Sequence, residues 1–423
     1  MSANRSDDEV PQSTTSFRAV VVAPIYNHAQ TLADVLDRIA RLNLPMVIIN
    51  DGSTDDTAAV AEAWVRAHPA AAATVLTHDV NCGKAAALRT GFAWAAQRSF
   101  THAATIDTDG QLDPEQIPDL LAAARLSPHA LVLGRRSAHT AGLPRANLVG
   151  WYTSALGLRV ETQLTIPDSQ CGLRVYPLAL TERVYVRARR FGFEAEVIAR
   201  AAWSGFGVRE VPVECRYPKD HRRTSHFRPW LDGARGFFMH ARLTLRRLNP
   251  WPIRAVVAAP AEPDRAGMLR RAPLRDQFNP WTAWRDLRRS RLDQLFLAAA
   301  CGIGTFMAAL PLGGWQWVAA LYAGLRLRVH FLPLIGGVAL AYLGTGNYVQ
   351  GIGLAIGHHV LHFTPPPIPC WPLAWSDFCR SSFVLERVLG GVVVGFFLNW
   401  MTIGVLVLTF RRISIRVYRF EKP

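Results

Sequence analysis

The stretch Ala103-Ala104-Thr105-Ile106-Asp107-Thr108-Asp109-Gly110-Gln111 decides how the first half of this chain is read. A short apolar run ends in two carboxylates one residue apart, then a glycine. If the run is a strand, Asp107 and Asp109 point the same way, because side chains alternate across a strand. Two adjacent like charges are costly unless a cation offsets them. A hard divalent ion, held by a couple of carboxylates and a substrate's phosphates, meets that need. The plain alternative is an Asp-Gly turn with a solvated acidic tip. The neighbouring segments decide between the two.

On the N-terminal side, Arg18-Ala19-Val20-Val21-Val22-Ala23-Pro24 has the β-branched run of a buried parallel strand. Tyr26-Asn27-His28 follows as a loop. Thr31 caps a helix that carries Leu32, Val35, Leu36 and Ile39 on one face. A second strand, 46–49, ends at Asn50-Asp51-Gly52-Ser53-Thr54-Asp55-Asp56-Thr57, where Ser53 or Thr54 caps the helix bearing Val60 and Trp64. A third strand covers 75–77, and Asn81-Cys82-Gly83-Lys84 opens a helix through Phe92 and Trp94. The strand before Asp107 is the fourth. This βαβα rhythm predicts an α/β domain with a mainly parallel sheet and helices on both faces. Ligands in such sheets bind at the carboxyl ends of the strands, which is where the polar loops fall.

The order Pro24-Ile25-Tyr26-Asn27, Asn50-Asp51-Gly52-Ser53-Thr54-Asp55, Asn81-Cys82-Gly83-Lys84, Asp107-Thr108-Asp109-Gly110-Gln111 resembles the family 2 glycosyltransferases over about residues 17–240. Val132-Leu133-Gly134-Arg135-Arg136, Asp168-Ser169-Gln170-Cys171-Gly172-Leu173-Arg174 and Gly192-Phe193-Glu194-Ala195-Glu196 are most similar to the polyprenyl-phosphate (dolichyl-phosphate) mannosyl- and glucosyltransferases. The processive-synthase signature Gln-x-x-Arg-Trp is absent. The resemblance implies a GT-A nucleotide-sugar-binding mixed sheet and an inverting transfer. It implies Mg²⁺ or Mn²⁺ on Asp107 and Asp109, with a nucleotide-diphosphate sugar held by Pro24, Tyr26, Asn27, Asp51, Lys84 and Arg222. His28 stands where the family usually has glutamate, and Asn50 replaces the first of two aspartates, so the resemblance leaves guanine and uracil both open.

In chemical terms, Gln111 would orient the metal site or the sugar, and Lys84 would offer a point charge to the diphosphate or hold Asp51. A phosphate acceptor is already anionic at neutral pH, with its second pKa near ~6, and needs a cationic grip. Arg135, Arg136, Arg145, Arg174, Lys219, Arg222 and Arg223 are the available cations, arginine being suited to bidentate phosphate contact. By resemblance Arg136, Arg145 and Arg222 are the phosphate ligands. A hydroxyl acceptor would instead need a base, and Asp168 or Glu194 is the residue to test. Each arginine alone also reads as a solvated surface charge.

The 423 residues carry 47 Lys and Arg against 32 Asp and Glu, a net charge of +15, and the excess lies downstream of the transferase-like region. From 241 to 291 arginines alternate with Trp251, Phe278, Trp281 and Trp284, as in segments lying on an anionic membrane face. Nucleic-acid signatures are lacking. Apolar stretches follow at 292–325, broken at Pro311-Leu312-Gly313-Gly314, at 329–361 and at 384–410. Each is long enough for a ~30 Å hydrocarbon core. The Gly302-Ile303-Gly304-Thr305-Phe306 and Pro311-Leu312-Gly313-Gly314-Trp315-Gln316 pattern resembles the membrane domain catalogued as domain of unknown function 2062. Adjacent His358 and His359, with His362, read as interfacial rather than as a metal set.

The expected plan is therefore a disordered leader (1–16), a transferase domain (17–240), a basic aromatic linker (241–291), an all-α polytopic membrane domain (292–410) and a basic tail (411–423). The six scattered cysteines show no metal spacing. Three functions compete: sugar transfer to a polyprenyl phosphate, transfer to a hydroxyl of a glycolipid or cell-wall precursor, and lipid binding or translocation with a nucleotide-sugar-sensing domain. Sugar, nucleotide and oligomeric state stay open.

Topology follows from the positive-inside rule. Linker and tail lie inside, 292–325 goes in and returns as two short spans or a re-entrant hairpin, 329–361 crosses out and 384–410 crosses back. A membrane-impermeant thiol reagent applied to intact cells is expected to label the 365–380 loop, which holds Cys370 and Cys379, and to miss Arg265→Cys and Arg416→Cys. External labelling of the linker position would reverse the orientation.

Overall fold

A computed structural model describes residues 16–137, 145–188, 190, 192–216, 229–251, 253, 267–271, 273–310, 312, 315–341, 356, 391–406, 408 and 409. They divide between two compact units, the first drawn from 1–148, 168–236 and 253–269, the second from 149–167, 237–252 and 270–423.

The first unit is built on a seven-stranded sheet, in the order β3-β2-β1-β4-β6-β5-β7. Its strands are β1 (Ala19–Ile25), β2 (Met46–Asn50), β3 (Ala73–Thr77), β4 (His102–Thr105), β5 (Ala130–Arg135), β6 (Arg174–Pro177) and β7 (Gly207–Pro212). β1 runs parallel to β2 and β4, while β6 runs antiparallel to β4 and β5. The sheet is therefore mixed. The short-range rhythm up to β4 reads correctly as parallel because those strands are joined by crossover helices. The chain steps outward from β1 to β3 and then returns to the other side of β1 as β4. That reversal opens a crevice at the carboxyl ends of β1 and β4, where ligands of such sheets bind.

Helices cover both faces. Val21, Ile25, Met46, Ile48, Ala104, Val132 and Val175 share a core with α1 (Leu32–Ala40), α2 (Thr57–Ala67) and α4 (Ile117–Leu126). On the other face, α3 (Lys84–Gln97) comes so close that a Cβ on Gly91 would lie 2.4 Å from Val22 Cγ1. Leu32, Val35, Leu36 and Ile39 of α1 are all buried, as their spacing predicts.

Helix starts differ from expectation. Thr31 precedes α1 but makes no side-chain cap bond, because its hydroxyl donates to Thr108 O at 2.7 Å. Helix α2 starts after Asp56 rather than after Ser53 or Thr54. Those two hydroxyls bond Asn27 instead, across to the neighbouring loop.

The boundary expected at 240 falls inside a helix, α8 (Pro229–Leu248), preceded in the chain by α5 (Arg145–Thr162), α6 (Leu178–Arg183) and α7 (Gly192–Trp203). The second unit takes the C-terminal parts of α5 and α8. It also contains α9 (Pro280–Arg289), α10 (Arg291–Ala309) and α11 (Gln316–Leu327), and the shorter apolar helices α12 (Phe331–Ala341) and α13 (Gly391–Leu406). Among the described residues one helix, α10, has an apolar window, Leu292–Ala309 of mean hydropathy 1.5, long enough to cross a membrane. The spans expected over 329–361 and 384–410 are described only as far as α12 and α13. The remainder, with His358, His359, His362 and the basic tail, lies outside the described residues.

Glycines set the spacing in this unit. A Cβ on Gly304 would lie 2.0 Å from Leu334 O, and one on Gly337 would lie 2.0 Å from Cys301 O. The backbones of α10 and α12 therefore touch. At the start of α10, Ser290 Oγ accepts from Asp293 N, and Asp293 also pairs with Arg159. Arg159 approaches Asp286, which His330 bonds at 3.1 Å.

One residue of the sheet makes folding pH-dependent. His102 is buried, with Nε2 3.0 Å from Pro128 O, and burial lowers its pKa from 6.5 to about 4. The folded state thus resists a proton that the unfolded chain accepts near 6.5. Its contribution is fully present above that pH and is lost as pH falls toward 4. The loss is on the order of 2–3 kcal/mol. Urea unfolding midpoints measured between pH 7 and pH 4 should fall less steeply in His102→Gln than in the unsubstituted protein. Parallel slopes would remove His102 from the acid response.

Candidate active site

Three loops meet at the carboxyl ends of β1, β2 and β3. Asn27, at φ +54°, accepts from Thr54 N at 2.8 Å and takes Ser53 Oγ onto its own amide. Asn50 is buried and its Oδ1 accepts from Ser53 N at 3.1 Å. An amide oxygen does this as well as a carboxylate, so asparagine at this position leaves the turn intact. Asp51 is 3% exposed and accepts from His78 Nδ1 (2.8 Å), Cys82 N (3.0 Å) and Gly83 N (2.7 Å). Lys84 therefore does not hold Asp51. The two main-chain amides at the start of α3 do, as expected of a carboxylate near a helix N-terminus. Gly52 fits because a Cβ there would lie 2.5 Å from Val80 C, at φ +65°. Asn81 Oδ1 is buried with no hydrogen-bond partner among the described residues. Pro24 is buried within β1, and Tyr26 lies half-buried just beyond it.

Past β4, Asp107 and Asp109 lie on one side of the chain and buried Ile106 and Thr108 on the other. Thr108 Oγ1 is 2.7 Å from His28 Nδ1. At Gly110, φ +77°, the chain turns, and Asp109 Oδ1 accepts from Gln111 N at 3.0 Å. The Asp-Gly turn and the paired carboxylates are thus both present. The turn means that Gln111 does not continue the alternation of Asp107 and Asp109. Its carbonyl accepts from Arg216 N at 2.8 Å.

Lys84 Nζ sits 2.6 Å from Asp107 Oδ1 and 2.6 Å from Glu194 Oε1, near the start of α7. Burial works against its charge, but the two carboxylates outweigh burial and hold the ammonium above the usual lysine range. Burial likewise opposes the Asp107 charge, and Lys84 overcomes it, leaving that carboxyl below its ordinary value. Among the described residues Asp109 has no such partner: burial and then the Asp107 charge push it up to about 6. Three carboxylates against one ammonium leave an excess that a divalent cation would neutralise. The donors of Asp107 and Asp109 are hard oxygens, suited to Mg²⁺ or Mn²⁺. Room is kept beside them by Gly172, where a Cβ would lie 2.2 Å from Asp107 Oδ2. The residues present fit the ion.

Arg136 docks on Asp168 through Nε (2.8 Å to Oδ2) and Nη2 (3.0 Å to Oδ1). The amides of Arg136 and Gln170 add two more donors to the same carboxylate. Arg174 is not a phosphate cation. It is 1% exposed, and its three nitrogens donate to the carbonyls of Cys171, Glu194 and Ser169. Arg135 ends β5 exposed. Arg145 opens α5, with its side chain outside the described residues, as are Lys219, Arg222 and Arg223. The pairing of Glu194 with Lys84 and the place of His78 are the features that sequence reading misses. His78 directly follows β3, so the rule that strand ends carry ligands would have reached it.

Residues 20–184 match the family described as Glycosyl transferase family 2, and the chain carries a domain of that family. It is 28% identical over 210 residues to the undecaprenyl-phosphate mannosyltransferase of Micrococcus luteus, covering 47% of this chain and 83% of the relative. It is 28% identical over 204 residues to the polyprenol monophosphomannose synthase of Mycolicibacterium smegmatis, covering 46% and 76%. Among solved structures it is similar to a mannosyltransferase of Pyrobaculum calidifontis in complex with GDP-Man and Mn²⁺, with 16% identity and a TM-score of 0.40, covering 90% of this chain and 88% of that one.

Removing the Lys84 ammonium leaves two carboxylates unpaired, a change that costs on the order of 3 kcal/mol at buried pairs. Lys84→Met should therefore lower the unfolding temperature, and Lys84→Met combined with Glu194→Gln should recover part of the loss. A single variant as stable as the parent would contradict the bridge.

Proposed function

We propose that this chain is a membrane-bound, metal-dependent glycosyltransferase. It moves a single sugar from a nucleotide-diphosphate donor to a polyprenyl phosphate at the cytoplasmic face, inverting the anomeric carbon. The observation that carries the acceptor is the pairing of the carboxylates Asp168 and Glu194. A hydroxyl nucleophile gives up a proton in the transition state and needs a base. Asp168 already takes four donors, and Glu194 is spent on Lys84. A phosphate acceptor needs no base, and what these carboxylates do instead is position cations. The names of the two relatives, both polyprenyl-phosphate mannose transferases, support the same reading.

In this mechanism Arg136, aimed by Asp168, grips the acceptor phosphate together with Arg145 and Arg222. Pro24, Tyr26, Asn27 and Asp51 form the nucleotide end, with Arg222 also on the diphosphate. Lys84 holds Asp107 and Glu194 in place, and Gln111 closes the turn that sets Asp109. Asp107 and Asp109 would hold a divalent ion, which when bound would offset the charge on the leaving phosphate.

Several features support the membrane. The close backbone approach at Gly304 and Gly337 is consistent with helices packed in lipid, where small residues replace the hydrophobic drive. Phe397, Met401 and Val405 of α13 are 67%, 60% and 57% exposed, an apolar surface suited to lipid. Trp281 is 75% exposed on α9, which ends in Arg288 and Arg289, as at a headgroup layer. The 12 residues of α11 span about 18 Å, short of the hydrocarbon core. With α10 long enough to cross, both the two short spans and the re-entrant hairpin stay open within a multi-pass domain whose catalytic side and C-terminus are cytoplasmic.

A second reading, transfer to a hydroxyl, is favoured by Glu210. Burial and then the Asp168 charge, against Arg135, push its carboxyl up to about 7, near the working range of a base.

Membranes given labelled nucleotide sugars and polyprenyl phosphate should yield labelled lipid, and the yield should vanish with chelator. Arg136→Ala should raise the acceptor KM or strongly lower kcat. The double variant with Asp168→Asn should be no worse, since Asp168 acts through Arg136. Glu210→Gln should stay active. Equal transfer to neutral polyprenol, or a loss of about 10²–10⁴-fold in Glu210→Gln, would favour the hydroxyl acceptor and end the phosphate reading.

A further inference from the structure

Asp51, His78 and Cys82 offer a carboxylate oxygen, an imidazole nitrogen and a thiol sulfur, all within 4.8 Å of one another. We propose that these three residues bind a zinc-type divalent cation, at a site that shares no residue with the Asp107 and Asp109 pair. The donor set separates the two. Sulfur and nitrogen select zinc-like ions, whereas oxygen pairs suit Mg²⁺ or Mn²⁺.

The surroundings are those of a supported site. Metal-bound histidine usually has its second nitrogen hydrogen-bonded, and His78 Nε2 lies 2.9 Å from Thr90 Oγ1. The Asp51 carboxylate is fixed by the Gly83 and Cys82 amides. Cys82 is exposed, which gives an entry path and leaves a fourth position for water. Its thiol makes one weak contact, 3.4 Å to Val80 O. With bonds of about 2.0–2.3 Å to N, O and S, closing the triangle needs a rotation of that exposed side chain and a widening of the 2.8 Å contact between His78 and Asp51. On binding, the thiol releases its proton to solvent. The imidazole proton moves from Nδ1, where it faces Asp51, to Nε2, where Thr90 Oγ1 accepts it.

The consequence for activity rests on the proposed function: an ion on Asp51 occupies the nucleotide end and competes with the donor. Binding itself does not rest on that reading. The test uses the full chain in detergent with Co²⁺ as the probe. One equivalent should produce a thiolate-to-cobalt charge-transfer band that Zn²⁺ displaces and excess Mg²⁺ does not. Cys82→Ser should abolish the band, and His78→Gln should weaken Co²⁺ binding at least about 10-fold. Zn²⁺ should raise the donor KM of the parent several-fold and leave that of Cys82→Ser unmoved. No band, or a band that survives Cys82→Ser, overturns the site. A band with an unmoved donor KM upholds the site and removes Asp51 from the nucleotide end.

Discussion

The Lys84 ammonium is the contact on which the active-site geometry depends. It stands between Asp107, just past β4, and Glu194, near the start of α7. Without it two carboxylates would face each other across a half-buried crevice. With it, Asp107 keeps its charge and its direction, and Asp109, the next carboxylate along, is left as the ionisable group that a metal can claim. Glu194 does double service: its backbone carbonyl accepts from Arg174, which in turn ties the 169–171 segment. That segment presents Gly172 to Asp107. Lys84 and Arg174 together thus couple the end of the fourth strand, the third and seventh helices and the loop before the sixth strand.

The loops after β1, β2 and β4 are held differently, mostly by neutral donors. Asn27, Ser53, Thr54, Thr57 and Thr108 cross-link the loops after β1, β2 and β4. Asp51 is the charged member, satisfied by main-chain amides and His78. Such a frame is cross-linked without being strongly charged.

The second unit follows other rules. Its helices approach through glycine, and its outer faces keep large apolar side chains exposed. One of its buried charge groups joins Arg159, Asp286, Asp293 and His330. Buried charges are tolerated only when paired in this way, and the pairing fixes where α10 begins.

By itself the sequence determined the first four strands, because β-branched runs and helical periodicity are local properties that neighbouring residues express together, whereas β5, β6 and β7 were not read from it. The spacing of Asp107 and Asp109 placed both carboxylates on one side, and the recurrence of polar loops at strand ends located the crevice. What only the tertiary structure decided are the partners. Lys84 and Glu194 are 110 positions apart, and nothing local distinguishes a lysine that grips Asp51 from one that grips Asp107. Arg174 reads as a phosphate cation until its burial shows every nitrogen spent on carbonyls. Asp168 reads as a base until Arg136 lies across it. Charge is visible in a sequence, but whether it is solvated, paired or poised is set by which distant residues the fold brings within hydrogen-bond range.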